Sequence, residues 1–297
     1  MERLKGIGLI VTGAMLWGAT GPLMEWILNN SPLSVAFMLT LRLFIAGFGL
    51  LLFLSLQKKD IYQILKDSYW VKRLLIFAVF GMLGVQFSFV AAIEASNAVV
   101  ATLLQFLAPI FVILFVSLRL KKWPPSIQII GIIGTLFGLF LLLTNGTLST
   151  LLISPVAAAW GIAVGFSFAF YILYPTDLMK EWGVILVVGW SMLMGGIILG
   201  VVTRIWESSE WIYLMDLKLV LLLLTIIIFG TLAFVLFLSS MKYISATETS
   251  IFSSIEPLTS MVISVIWLNQ LLGMWQWVGA ICMLFFVTWL SISGKKS

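Results

Sequence analysis

The sequence predicts an all-α integral membrane protein: ten transmembrane helices arranged as two inverted-topology five-helix repeats. Three observations carry this. Of the 297 residues, 62% are hydrophobic and only 10% are charged, and the mean hydropathy is +1.16, whereas about a quarter of an ordinary soluble domain is charged. The apolar residues gather into long continuous runs, and a helix needs about 20 such residues to cross a bilayer. The second half of the chain repeats landmarks of the first at a fixed offset. The composition excludes a soluble globular domain, a disordered chain and a nucleic-acid binder.

The runs are 6–28, 33–56, 74–93, 98–118, 127–143, 156–174, 184–203, 217–241, 247–268 and 274–293. Membrane β-strands would alternate with period two over about ten residues; these runs are longer and continuously apolar, so they read as helices. The first follows Arg3 and Lys5, as a cleaved signal would. It is too long for one, and nine similar runs follow, so it reads as a retained helix. The second run contains Arg42 and the third Gln86. The fourth contains Thr102, Gln105 and Pro109. The fifth, sixth and seventh hold Gly134-x-x-x-Gly138, Gly161-x-x-x-Gly165 and Gly196-x-x-x-Gly200, a spacing that permits close helix approach but is weakly specific. The eighth leads into the ninth, the most polar run, and the tenth completes the even count. Between the second and third runs, residues 60–70 form a short amphipathic segment assigned to the membrane interface. Trp26, Trp70, Trp123, Trp206 and Trp211 sit near span ends, the usual place of interfacial aromatics.

Orientation follows from Lys and Arg in short loops. With the N-terminus in the cytoplasm, fourteen of the 17 basic residues fall inside. These include Lys58, Lys59, Lys121, Lys122, Lys180, Lys242, Lys295 and Lys296. Arg204 and Lys218 fall outside, and Arg42 lies within a span. The split places both termini on the cytoplasmic side of a plasma membrane. It also explains the net charge of +5 as a topological signal, with no nucleic-acid partner.

The repeat is visible between 97–131 and 245–279, offset by 148. Pro109 falls on Pro257, Gln128 on Gln276 and Gly131 on Gly279; Thr102 falls on Ser250 and Gln105 on Ser253. Trp17-Gly18 in the first run resembles Trp160-Gly161 in the sixth. The halves are taken as 1–146 and 147–297, joined through the uncharged polar linker 144–154. Five spans is an odd number, so the second half enters from the opposite face. That is the architecture of many secondary transporters, whose substrate site lies near the midplane between halves.

A charge at mid-bilayer costs about 2.5–3.5 kcal/mol on insertion scales, so buried ionisable groups are informative. Arg42 lies about nine residues into its span, roughly 13 Å at 1.5 Å per residue. Glu256 is about as deep, whereas Glu248 is near the cytoplasmic end. Thr249, Ser253, Glu256, Ser260 and Ser264 are spaced 4, 3, 4 and 4, which puts them on one helix face. Beside Pro257, which has no N–H to donate, such a stripe reads as cavity lining or as a polar helix seam. Trp17, Thr20, Arg42, Gln86, Thr102, Gln105, Trp160, Ser167, Tyr171, Ser253 and Glu256 form the candidate substrate cavity, with Glu256 the candidate for proton or ion coupling.

The chain has no histidine and a single cysteine, Cys282. That leaves no disulfide framework, no His- or Cys-based metal site and no Ser–His dyad. The four aspartates, Asp60, Asp67, Asp177 and Asp216, fall in loops or at span ends, and no phosphate-binding loop of the Gly-x4-Gly-Lys type is present. No enzyme, no cofactor and no metal is expected. The expected partners are a small-molecule substrate and the bilayer, with the chain a monomer or homodimer. Neither rings of charge nor a filter loop points to a channel. The alternative to a metabolite carrier is a flippase or scramblase for a lipid or lipid precursor, whose chains an aromatic cavity would accept.

These residues resemble the drug/metabolite transporter superfamily, EamA type, over essentially the whole chain. The resemblance rests on Leu16-Trp17-Gly18, on Leu41-Arg42-Leu43, and on a proline-bearing span followed by Gln-x-x-Gly in each half. In the ninth run Ile255-Glu256-Pro257 is similar to the family's glutamate–proline pair. The Gly-Glu pair that many relatives carry after the fourth and ninth spans is absent here, where the chain reads Leu118-Arg119-Leu120-Lys121 and Leu268-Asn269-Gln270. The resemblance implies a central cavity built mainly from spans 1, 3, 4, 6, 8 and 9, alternating access, and often export of amino acids or other small metabolites.

Overall fold

The structure is a computed structural model that describes residues 2–147, 153–240, 243–244, 252–253 and 255–293. Lys242, Glu248, Thr249, Ser250, Lys295, Lys296 and linker residues 148–152 lie outside the described residues, so the expectations placed on them stay with the sequence. Eight helices are long and apolar enough to cross a membrane: Glu2–Asn30, Val35–Leu56, Ser68–Ala95, Ala98–Leu120, Ser126–Thr144, Pro155–Leu173, Val184–Val202 and Leu217–Phe237. Two shorter apolar helices, Ile255–Trp267 and Met274–Leu290, follow them. These are the first to tenth spans below. Nineteen residues at 1.5 Å each reach about 28 Å, close to a hydrocarbon core of about 30 Å. No strand occurs among the described residues.

Helix starts follow capping chemistry. Ser34 accepts from the Phe37 N–H at 3.2 Å, Asn97 from Val100 at 2.9 Å and Ser154 from Ala157 at 3.1 Å. Each supplies one of the acceptors that a first helical turn lacks. The third span begins earlier than the apolar run suggests. Asp67 accepts from the Tyr69 N–H at 2.8 Å and starts the helix at Ser68. Lys72 and Arg73 make that first turn too polar for a hydropathy count, so Trp70 belongs to the span and not to the segment before it. Of the preceding segment, Gln63–Lys66 is a single 3-10 turn. It is held by Trp190, whose ring N–H donates to the Ile61 carbonyl at 2.8 Å.

The helices pair in a way that exchanging the two halves leaves unchanged. The first span packs on the eighth and ninth, and the sixth packs on the third and fourth. The second packs on the seventh and the fifth on the tenth. In both of these self-related pairs the chains run antiparallel. Phe44, Gly47 and Leu51 meet Gly196, Leu193 and Gly189 in turn, while Gly131, Gly134 and Gly138 meet Leu290, Phe286 and Met283. An odd number of spans per half demands this opposition. The fifth–tenth seam is so tight that a Cβ on Gly138 would stand 2.7 Å from the Gly279 carbonyl oxygen and 2.6 Å from the Met283 nitrogen. The three small-x-x-x-small pairs read from the sequence lie at such contacts, with Gly161 against Leu104 and Gly165 against Phe111.

The outer surface is apolar along the spans. Phe48, Phe80, Ile133, Phe137, Phe166 and Ile228 are all more than half exposed. In water so large an apolar surface would be an association hazard; facing lipid it is the expected finish. Of the tryptophans assigned to span ends, Trp123, Trp206 and Trp211 are exposed. Trp211 also packs edge-on against Phe37 at 5.1 Å and donates to the Ile205 carbonyl at 2.7 Å.

Candidate functional site

A cavity of about 100 Å³ lies at the centre of the bundle. Its walls are Trp17 and Thr20 from the first span, Arg42 from the second, Met82, Val85, Gln86 and Phe89 from the third, and Gln105 from the fourth. The other side is Phe168 and Tyr171 from the sixth span, Met192 from the seventh, Gly230 and Phe234 from the eighth, and Glu256 from the ninth. Both halves therefore contribute, and the second and seventh spans join the six that the resemblance implies.

Local departures from regular helix aim these side chains. In the third span, Phe77–Leu83 is π-helical, a widened turn often found at functional sites. It delivers Met82 to the cavity, with Val85 and Gln86 directly after it. The fourth span breaks into Ala98–Gln105 and Ala108–Leu120. Pro109 cannot donate to the carbonyl of Gln105, four residues back, and Gln105 is the residue that reaches the cavity. Gly18 sets the place of Glu256: any Cβ on Gly18 would run into the Glu256 carbonyl oxygen. The Trp17-Gly18 pair thus does two things, presenting an indole to the cavity and letting the ninth span approach closely enough for Glu256 to enter it.

The polar contacts are sparse. The Arg42 guanidinium donates from Nη1 to the Met24 sulfur at 3.6 Å, and among the described residues no carboxylate lies within 4.0 Å of it. The Glu256 carboxylate has no hydrogen-bond or ion-pair partner among the described residues. Gln86 donates from Nε2 to the Met82 sulfur at 3.2 Å, and its buried Oε1 has no partner. Thr20 turns its hydroxyl back to the Trp17 carbonyl at 2.7 Å. The walls are aromatic: Tyr171 stacks between Phe77 at 5.5 Å and Phe168 at 5.8 Å, and Trp17 meets Phe234 edge-on at 6.1 Å.

Seven residues expected in the cavity therefore share it: Trp17, Thr20, Arg42, Gln86, Gln105, Tyr171 and Glu256. Four do not line it. Thr102 is fully buried, with its hydroxyl satisfied by the Ala98 carbonyl at 2.7 Å. Trp160 packs against Phe87 at 5.7 Å. Ser167 faces Gly84 in the seam between the third and sixth spans. Ser253 is half-buried, one turn before Glu256, outside the lining. Ser260 and Ser264 are buried in the ninth span and are not among the lining residues, and neither hydroxyl has a hydrogen-bond partner among the described residues. The apolar lining carries no sequence signal, since its residues look like those of any span.

The sequence also gave no notice of Glu25. It is 6% exposed, and it accepts from the Ala98 N–H at 2.7 Å and from the side-chain amide of Gln270. One carboxylate thus ties the first span to the start of the fourth and to the turn between the ninth and tenth. Trp26 stacks on Trp267 at 6.3 Å beside it. No group of three or more Cys, Asp or Glu side chains among the described residues is placed to hold a metal ion.

The model of the EamA-like transporter family matches residues 4–144 and 155–292. An uncharacterized inner membrane transporter of Salmonella typhimurium, YicL, is 34% identical over 293 residues, which span 98% of this chain and 97% of that protein. An uncharacterized transporter of Archaeoglobus fulgidus is 27% identical over 275 residues, 92% of each chain. A crystal structure with 14% sequence identity superposes with a TM-score of 0.63 over 98% of both chains, so it shares the fold. By these matches, and by its helical architecture, the chain is a multi-pass membrane protein that belongs to the EamA-like transporter family.

Proposed function

We propose that the chain, a transporter by family membership, is a secondary active exporter of small metabolites such as amino acids or amphipathic compounds. It works by alternating access around the central cavity, from a plasma membrane with both termini cytoplasmic. The observation that carries this reading is the placement of Arg42 and Glu256, which sequence scarcity singles out, in one cavity walled by both halves of the chain. Charged groups at membrane depth mark substrate or ion pathways by default. The sequence has no phosphate-binding loop, so the chain does not hydrolyse ATP by that route.

The ionisable side chains lining the cavity are Arg42, Tyr171 and Glu256. With no histidine in the chain, the carboxylate of Glu256 is the group that takes up and releases the coupling proton. Flux measured in proteoliposomes against imposed pH gradients tests this. Glu256→Gln retains the fold and loses the response to the gradient. An unchanged, still pH-dependent flux in that variant removes Glu256 from coupling.

A further inference from the structure

We infer that the cargo carries a single carboxylate group, and that Arg42 is its seat. This rests on the cavity being the cargo site. Four observations converge. The guanidinium has five donors, yet its one hydrogen bond among the described residues is to a thioether sulfur at 3.6 Å, a weak acceptor. It lines the cavity and has no carboxylate within 4.0 Å among the described residues, Glu256 included. A guanidinium so placed is stabilised by an anion that comes and goes, because a permanent partner would occupy its fork. Third, its position is built. A Cβ on Gly230 would stand 2.9 Å from Nη2, so the guanidinium lies against bare backbone of the eighth span, with Met24 at its Nη1. Fourth, Gln86 lines the same cavity with its Oε1 unpartnered, an acceptor ready for a donor elsewhere on the cargo.

The charge count sets the class. Among the described residues Arg42 is the one Lys or Arg in the lining, and Glu256 adds a carboxylate to the same space. One guanidinium matches the single charge and the two oxygens of a carboxylate. It cannot neutralise a phosphate dianion beside a second acid. The apolar body of the cargo then lies against the walls formed by Met82, Phe168 and Phe234. The competing use of this guanidinium is closure onto Glu256 during the cycle, in which case the charge of the cargo is immaterial.

The test uses the full-length protein in detergent micelles and matched probes: benzoate with benzamide, phenylacetate with phenylacetamide, hexanoate with hexanamide, and inorganic phosphate. Each is titrated while the unfolding midpoint is followed, since a ligand that binds the folded state raises it with concentration. At least one carboxylate stabilises the wild type, its amide does so at least tenfold more weakly, and phosphate has no effect. Arg42→Gln loses the preference. Arg42→Lys keeps the charge without the planar fork; it binds the carboxylate at least tenfold more weakly and still prefers it to the amide, so the test survives if Arg42→Gln does not fold. Equal shifts from acid and amide, wild-type carboxylate binding in Arg42→Gln, stabilisation by phosphate, or no shift from any probe each overturns the inference. Counterflow in proteoliposomes separates this from the carrier reading. Carriage of neutral or cationic compounds with no advantage to carboxylates sinks the seat and leaves the carrier standing. Absence of any carriage sinks both.

Discussion

Replacing Glu25 by alanine is the sharpest test of how the bundle is closed at the end where the first span finishes. The carboxylate is 6% exposed and accepts two hydrogen bonds, from the Ala98 N–H and the Gln270 amide. Ala98 is fully buried and begins a helix, so truncation leaves a buried donor unsatisfied at a cost of about 1–3 kcal/mol. Loss of a negative charge from a helix N-terminus adds roughly 0.3–1 kcal/mol. The expected destabilisation is about 2–4 kcal/mol. Glu25→Gln, which keeps an acceptor for Ala98, loses about half of that. Gln270→Ala loses about 1 kcal/mol on its own. Because the two side chains touch, the double variant loses less than the sum, with a coupling of about 0.5–1 kcal/mol. Equilibrium unfolding in mixed micelles, followed by far-ultraviolet circular dichroism, measures all four variants against the wild type. A Glu25→Ala protein within 0.5 kcal/mol of wild type, or strict additivity with Gln270→Ala, would falsify the assignment of this carboxylate as a clasp.

The other expectations are simpler. Gly138→Val puts a branched side chain into the backbone of the tenth span, so the protein should fail to accumulate folded in membranes, whereas Gly8→Ala, with nothing within 4 Å, should express normally. Gly230→Ala should displace the guanidinium of Arg42 and weaken carboxylate binding several-fold while leaving the unfolding midpoint within a few degrees; an unaltered titration removes Gly230 as its support. Arg73→Gln breaks a 3.3 Å ion pair with Asp177, whose side chain is two-thirds exposed. The loss should stay within about 1 kcal/mol, and a larger one in the unfolding assay would show that this end of the bundle depends on it. Trp190→Phe removes the donor to the Ile61 carbonyl and should cost about 1 kcal/mol, together with faster proteolysis near residue 61.

The spans were legible because lipid leaves a chain few options: long apolar runs, caps such as Ser34, Asn97 and Ser154, and basic loops. Arg42 and Glu256 were legible for the same reason, since an ionisable group stands out where there are so few. What the sequence did not show is set by contacts between residues far apart in it. Glu25 looked like an ordinary span end; its partner Gln270 lies 245 positions away, and no local pattern links them. The π-helical turn at Phe77–Leu83 leaves no trace beyond two glycines, Gly81 and Gly84, whose ordinary role is packing. The start of the third span was hidden by Lys72 and Arg73. Thr102 and Trp160 were placed by analogy between the halves, and Ser167 as a hydroxyl of the sixth span. In the structure they lie at helix seams, where the sixth span meets the third and fourth as the first meets the eighth and ninth.

The antiparallel seams between the second and seventh spans and between the fifth and tenth have a mechanical consequence. Backbone touches backbone there, at Gly47 with Leu193 and at Gly138 with Gly279. Sliding would drive a neighbouring side chain into that contact, so under the proposed alternating access these pairs are the expected fixed posts. The parts left to turn are then the first, third, fourth, sixth, eighth and ninth spans, which supply twelve of the fourteen cavity residues. A covalent bridge across a post should therefore be silent in a transport assay, and one across the cavity should arrest it. On that proposal, the small residues that looked least specific in the sequence divide the molecule into stator and rotor.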